Sequence, residues 1–281
     1  MGKSVDKSIL KRIYKKRDLW SHKYNYGHLF VVGGSKQYSG SPTFNALSAL
    51  RAGVDLVTIV SPKRAANIIA SFEPDLIAYP IDCDYFSIKE LEEVLSFVKG
   101  KTAVVIGGGM SRRNETLEFI REFLRKISLP VVIDADAIHA VSNELELIKN
   151  RKVVLTPHVY EFFVLSGKKL GKDLKERVNA VKEFARKWNV TVLLKGHIDV
   201  ISNGKKTVIN KTGSPFMTKG GMGDTLAGIC GALLARGIEA FDAACASAYI
   251  NGKAGELASK EFGESVLASD LIEKIPKVLK K

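Results

Sequence analysis

The segment Gly220-Gly221-Met222-Gly223-Asp224 sets an acid directly behind three glycines in four residues, and a small-residue helix from Thr225 to Ala235 follows. Glycines let backbone N–H groups converge on an anion, and a helix N-terminus adds partial positive charge at the same spot. Asp224 then has two local readings. It is a first-turn cap worth about 1 kcal/mol, or the base that takes a proton from a substrate hydroxyl as a phosphoryl group arrives. No Gly-Lys-Ser/Thr ends the segment, so it is not a Walker A loop.

Other polar groups stand just behind short apolar runs. Lys195-Gly196 follows Thr191–Leu194, where a strand-end lysine either faces a ligand crevice or reaches solvent. Thr156-Pro157-His158 follows Val153–Leu155 and opens a helix, with proline fixing φ at its start and Glu161 as a capping carboxylate. His158 is then expected to point at the crevice and to hydrogen-bond a ligand, or to be structural. Asp134-Ala135-Asp136-Ala137 ends Val131–Ile133, and its two carboxylates could touch a divalent cation, directly or through water, or cap the next helix. Gly107-Gly108-Gly109 follows Ala103–Ile106. Gly33-Gly34-Ser35 follows Leu29–Val32, with Tyr38 and Gly40-Ser41 beyond. Five turns behind five strands fall along one edge of an open parallel sheet, so together they predict a site there.

The elements that must position these turns are legible as a pattern. Strands are predicted at Leu29–Val32, Asp55–Val60, Ala103–Ile106, Val131–Ile133, Val153–Leu155, Thr191–Leu194, Asp199–Ser202 and Thr207–Asn210. Several are apolar throughout, as parallel strands covered on both faces are. Helices are predicted at Thr43–Ala52, Ile88–Val98, Glu115–Lys126, Asp173–Trp188 and Ala240–Ala258, and the whole segment after Asp224 reads as helical. This alternation gives right-handed crossovers and a doubly wound sheet. Asn203-Gly204 between two short strands predicts a tight antiparallel hairpin at one edge. Residues 1–16 read as a basic N-terminal arm, and residues 17–281 as a single domain.

Composition narrows the class. Of 281 residues, 46% are hydrophobic and 26% charged, which is ordinary for a globular chain. No apolar run approaches the ~18–20 residues of a bilayer span, and the basic N-terminus lacks the core of a secretory signal. Cys83, Cys230 and Cys245 are too few and too scattered for a disulfide framework or a zinc site, which favours a reducing compartment. A net charge of +13 attracts anionic partners without choosing among them. No basic-aromatic module, zinc finger or helix-turn-helix accompanies it, so neither nucleic acid nor membrane is an expected partner.

The ordered set of these segments resembles the ribokinase-like superfamily, and within it the ADP/ATP-dependent NAD(P)H-hydrate dehydratases. Carrying the resemblance are Arg17 with Ser21-His22-Lys23, Tyr26-Gly27-His28, Val31 to Ser35 with Tyr38, and Ala49 to Gly53. Asp134 to Ala137, Thr156-Pro157-His158 with Glu161, Lys195-Gly196, and Thr212 through Gly228 continue it. The resemblance implies a three-layer α/β/α fold with a mostly parallel sheet. It also implies phosphorylation of the new hydroxyl of hydrated NADH or NADPH by ADP or ATP with Mg2+, after which phosphate leaves and the dihydronicotinamide returns. Asp224 would be the base, and the backbone of Gly220, Gly221, Met222 and Gly223 the anion hole. Lys195, Gly196, His197, Ile198 and Asp199 would line the adenine nucleotide with Gly223, while Ser41, Gly109, His158 and Asp224 would hold the hydrated dinucleotide. No segment forms a dedicated metal cage. A cytoplasmic homo-oligomer is expected, without the N-terminal epimerase domain that many such proteins carry. A ribokinase-like kinase of a small alcohol, such as a vitamin precursor, is the alternative, and the Tyr26–Tyr38 segment favours the dehydratase. The chain departs from the family pattern at Gly213-Ser214-Pro215-Phe216 (usually Gly-Asn-Pro-Gly), Met222 (Thr or Ser), Gly108 (Pro) and Val159-Tyr160 (Pro-Gly).

Overall fold

The apolar runs pair side by side in the computed structural model, which describes residues 3–280. Ten strands form one sheet: β1 (Lys3–Ser4), β2 (His28–Val32), β3 (Leu56–Pro62), β4 (Ile77–Ile81), β5 (Ala103–Ile106), β6 (Val131–Ile133), β7 (Val153–Leu155), β8 (Thr191–Leu194), β9 (Asp199–Ser202) and β10 (Thr207–Asn210). Their order is β1-β10-β9-β8-β7-β6-β5-β2-β3-β4. All neighbours from β8 to β4 run parallel. β9 is antiparallel to β8 and to β10, which makes the hairpin that Asn203-Gly204 predicts.

Period-two alternation along the central strands sorts their side chains into two cores. Leu29, Val31, Val105, Val132, Val154 and Leu193 face one cluster, while Phe30, Val32, Val104, Ile106, Ile133 and Leu155 face the other. Helices α2 (Gly40–Arg51), α9 (Met222–Ala235), α10 (Ala240–Phe262) and α11 (Ala268–Leu279) cover the first face, joined by α1 (Ser8–Ile13) and α3 (Lys63–Ala70). Helices α4 (Leu91–Ser96), α5 (Asn114–Lys126), α6 (Asp136–Ser142), α7 (Val159–Ser166) and α8 (Leu174–Trp188) cover the second. The result is three layers, α/β/α.

Within the first helical layer, α9 crosses α2 so closely that a Cβ on Gly228 would lie 2.2 Å from both the Asn45 carbonyl oxygen and Ser48 Oγ. Only a hydrogen fits at that position, so the glycine sets how near the helices approach. Met222, Leu226, Ala227 and Cys230 bury the rest of the α9 face.

Several elements differ from expectation. β4 lies at the sheet edge and is mostly exposed, and Pro80 within its short run argues against a strand there. The segment expected as a basic arm carries β1, paired in parallel with β10, and α1, which buries Ile9, Leu10 and Ile13. Its lysines stay at the surface while those three residues reach the core. The helix expected over Ile88–Val98 divides into a short 3-10 turn at Ile88–Glu90 and α4. Among the described residues, no helix is long and apolar enough to cross a membrane.

Candidate active site

β8, β7, β6, β5 and β2 are consecutive in the sheet, so the turns that begin at Lys195, Thr156, Asp134, Gly107 and Gly33 lie next to one another on one edge. The start of α9 comes to the same edge. A Cβ on Gly108 would fall 2.9 Å from Ser41 Cβ and 3.2 Å from Asp224 Oδ1, so the glycine loop, the first turn of α2 and the first turn of α9 all meet there. Asn45 Nδ2 donates to the Asp224 carbonyl at 2.7 Å and ties the two helix starts together.

Asp224 does not cap its own helix. Gly221 occupies the N-cap with φ 90°, and no side chain bonds the first-turn amides. Burial pushes the Asp224 carboxyl up to about 7, and the Asp134 charge adds to the rise, while Ser41 and the Lys195 ammonium pull it back. A carboxyl at that value exchanges protons near neutrality, as a general base must. Beside it, a Cβ on Gly220 would meet nothing within 4 Å, so the turn is open there, while Gly221 packs against Phe44 and Ala268.

Lys195 lies beneath this turn. Its Nζ is 2.9 Å from Asp134 Oδ1 and 3.8 Å from Glu161 Oε2, and a Cβ on Gly223 would come to 3.3 Å from it. Burial works against its charge, but Asp134 and Glu161 outweigh that and hold the ammonium above its ordinary value. Thr156 Oγ1 also donates to Asp134, at 2.7 Å. Glu161 is pushed upward by burial first, with Lys195 opposing and Asp134 adding. The cluster fixes one positive charge under the glycine turn.

Of the other predicted residues, Ser41 bonds Asp224, and a Cβ on Gly109 (φ 67°) would meet Tyr38 Cβ at 2.9 Å and Ser41 Cβ at 3.6 Å. His158 is half-exposed on the edge and caps α7: its Nδ1 accepts from the Tyr160 and Glu161 amides, and the Glu161 carboxylate accepts from the His158 amide. Pro157 therefore stands just outside α7 rather than inside its first turn. Gly196 and His197 are exposed and Ile198 half-buried in the turn after β8. Asp199 closes that turn, accepting from Gly196 N and Asn210 Nδ2, both at 3.0 Å, and burial pushes its carboxyl up to about 6. Asp134 and Asp136 separate: the first pairs with Lys195, and the second accepts from Ser111 N and Arg112 Nε. Neither caps α6, whose N-cap Ala135 sits at φ 48°.

One residue at the site carries no signal in the sequence pattern. Arg177 on α8 reaches the turn after β8, since a Cβ on Gly196 would lie 2.8 Å from its Nη1. Nothing in the helical pattern of α8 distinguishes Arg177 from its neighbouring surface charges. The N-terminal motif sits at the other ends of the strands. There Arg17 bonds the Gly53 carbonyl and Asp55, Tyr26 N donates to Asp55, and Gly27 packs on the end of α9 at Ala235. A cavity of about 450 Å³ bordered by Asn150, Lys152, Asn203 and Phe241 also opens at that far end, away from Asp224.

A mostly parallel sheet between two helical layers, here with an acid behind an uncapped glycine turn at its edge, is the fold of a solved Enterococcus faecalis protein described as ribokinase-like. That structure superposes with a TM-score of 0.86 at 23% identity over 99% of this chain and 95% of that one. The family model described as NAD(P)H-hydrate dehydratase matches residues 29–277, and the chain belongs to that family. The chain is 34% identical over 281 residues to the ADP-dependent (S)-NAD(P)H-hydrate dehydratase of Nitrosopumilus maritimus, covering 99% of this chain and 97% of that one. It is 40% identical over 263 residues to the bifunctional NAD(P)H-hydrate repair enzyme Nnr of Pyrobaculum aerophilum, covering 93% of this chain and 52% of that one. The chain thus spans about half the length of the bifunctional relatives it matches. The ADP/ATP-dependent NAD(P)H-hydrate dehydratase of Bacillus subtilis, crystallised with ATP and Mg2+, superposes with a TM-score of 0.83 at 24% identity over 99% of this chain and 97% of that one.

Proposed function

We propose that the chain dehydrates the S epimer of hydrated NADH or NADPH with ADP or ATP as phosphoryl donor. The observation that carries this reading is a carboxyl pushed up to about 7 beside an open glycine turn with an ammonium fixed beneath it. Asp224 takes the proton of the substrate hydroxyl as its oxygen attacks the terminal phosphorus, and the bond to the departing nucleotide breaks. The amides of Gly220 to Gly223 and the Lys195 ammonium stabilise the charge on the transferring group. Phosphate then leaves with the ring C–O electron pair. The adjacent ring carbon gives up a proton to the released phosphate or solvent as its C–H electrons form the C=C bond, and the dihydronicotinamide is restored. The turn from Lys195 to Asp199 lines the adenine nucleotide, and Ser41, Gly109 and His158 face the hydrated dinucleotide.

The donor set suits a magnesium ion carried in by the nucleotide. Lys195 already pairs with Asp134 and Glu161, and Mg2+ needs only one or two carboxylates, often through water, beside substrate phosphates. Bound there, it would neutralise phosphate charge. We place this activity in the cytoplasm, in keeping with three free cysteines, and in a homo-oligomer. The test supplies hydrated NADH or NADPH with ADP or ATP and follows the near-ultraviolet absorbance of reduced nicotinamide. Nucleotide-dependent recovery supports the reading. Phosphorylation of a small alcohol without any recovery would replace it with a kinase.

A further inference from the structure

Tyr160, in the first turn of α7, is 59% exposed at the same edge as His158. Its ring lies 6.4 Å from that of His158 at an interplanar angle of 23°, and 6.5 Å from that of His139 on α6. Phe163 supports it from the next turn at 6.2 Å. Three rings thus hold an aromatic face toward solvent, and a planar base can stack on such a face. Arg112, in the loop after β5, donates through Nε to Asp136 at 3.1 Å, and its side chain is 54% exposed. Among the described residues, no acceptor takes its two terminal nitrogens. The carboxylate orients the guanidinium and leaves its outer edge for an anion. Arg112 also lies near both histidines: after burial its charge lowers His139, and it adds slightly to the lowering of His158 by burial and Lys195.

We propose that Tyr160 and Arg112 hold the adenosine half of the hydrated dinucleotide, the ring stacking on adenine and the guanidinium pairing with a phosphate. The inference rests on the dehydratase reading, which brings a dinucleotide to this edge. Both residues belong to the turns that carry Gly109 and His158, not to the turns from Lys195 and Gly220 that receive the adenine nucleotide. Two phosphates could meet Arg112: the pyrophosphate, present in both hydrates, or the 2′-phosphate, present only in hydrated NADPH.

The experiment measures KM and kcat for both hydrates at saturating ADP or ATP in wild type, Tyr160→Ala, Tyr160→Phe and Arg112→Gln, with nucleotide affinity measured by calorimetry. Tyr160→Ala is expected to raise KM for both hydrates by roughly 5- to 150-fold, the scale of one lost base stack. Its kcat and nucleotide affinity stay near wild type, and Tyr160→Phe behaves as wild type. For Arg112→Gln, a KM rise confined to hydrated NADPH assigns the 2′-phosphate, and an equal rise for both hydrates assigns the pyrophosphate. An unchanged KM in Tyr160→Ala, or parallel weakening of hydrate and nucleotide, overturns the proposal. If wild type turns over neither hydrate, it is the dehydratase reading that fails. Calorimetric titration of NADP+ into wild type and Tyr160→Ala then decides the stacking site separately, equal affinities counting against it.

Discussion

Replacing Lys195 by methionine, of similar length and no charge, removes the ammonium from between Asp134 and Glu161. At 2.9 and 3.8 Å, and with an effective dielectric of ~20, the two attractions amount to about 6 and about 4 kcal/mol. Desolvation of the three groups offsets most of that, and one-sided removal from a buried pair costs about 3–5 kcal/mol. The loss must also depend on pH. Glu161 is already held above its ordinary value by burial, and Lys195 is the charge that opposes the rise. Without it the folded protein binds a proton that the unfolded chain releases from about pH 4.3 upward, so stability falls as pH climbs toward the raised folded value. Each further unit of rise is about 1.4 kcal/mol. Urea unfolding of wild type and Lys195→Met at pH 5 and pH 8 should show the larger deficit at pH 8. A deficit under about 1 kcal/mol, or the same deficit at both pH values, would refute a buried charge cluster.

Asp224→Asn should keep nucleotide affinity within a few-fold while turnover falls at least ~10²-fold. In wild type the rate should climb with pH through about 7 as the carboxyl loses its proton, and the variant should lack that limb; a retained limb assigns it to another group. Gly223→Val places its Cβ 3.3 Å from Lys195 Nζ, so nucleotide affinity should drop with little change in the ligand-free Tm. Calorimetry beside a thermal melt tests this, and unfolding of the variant would make Gly223 a packing residue. Gly228→Ala drives a methyl into Asn45 and Ser48 and should cost about 1–3 kcal/mol, read as a Tm several degrees lower; an unchanged melt would mean that the helices part freely.

Strands β5 to β10 were legible to the residue because each is a short apolar or β-branched run with turn residues on both sides. β4 was not, since an edge strand with Tyr79-Pro80 buries too little to show a pattern. α1 hid inside its own lysines, although Ile9, Leu10 and Ile13 have helical spacing. For the site, sequence could place each turn on the edge from the strand before it. It could not reveal that Lys195 pairs with a carboxylate 61 positions away, nor that Asp199 serves the shape of its own turn. Those depend on which strands are neighbours and how far a side chain reaches. Glu161 was readable as a cap because capping is local, and it is one; its second partner, Lys195, is not local.

The seat of Gly228 on Asn45, with Asn45 Nδ2 on the Asp224 carbonyl, anchors the Asp224 carboxylate to two buried helices instead of to the loop in front of it. A lineage can then rewrite that loop cheaply. Ser214 and Phe216 both depart from the family pattern, yet neither forms the α2–α9 crossing at Gly228 that fixes where the acid stands. Substitutions there are free to retune what is bound, whereas a single methyl at position 228 would move the chemistry itself. Drift in this chain should therefore collect around the ligands and spare a glycine that no ligand touches.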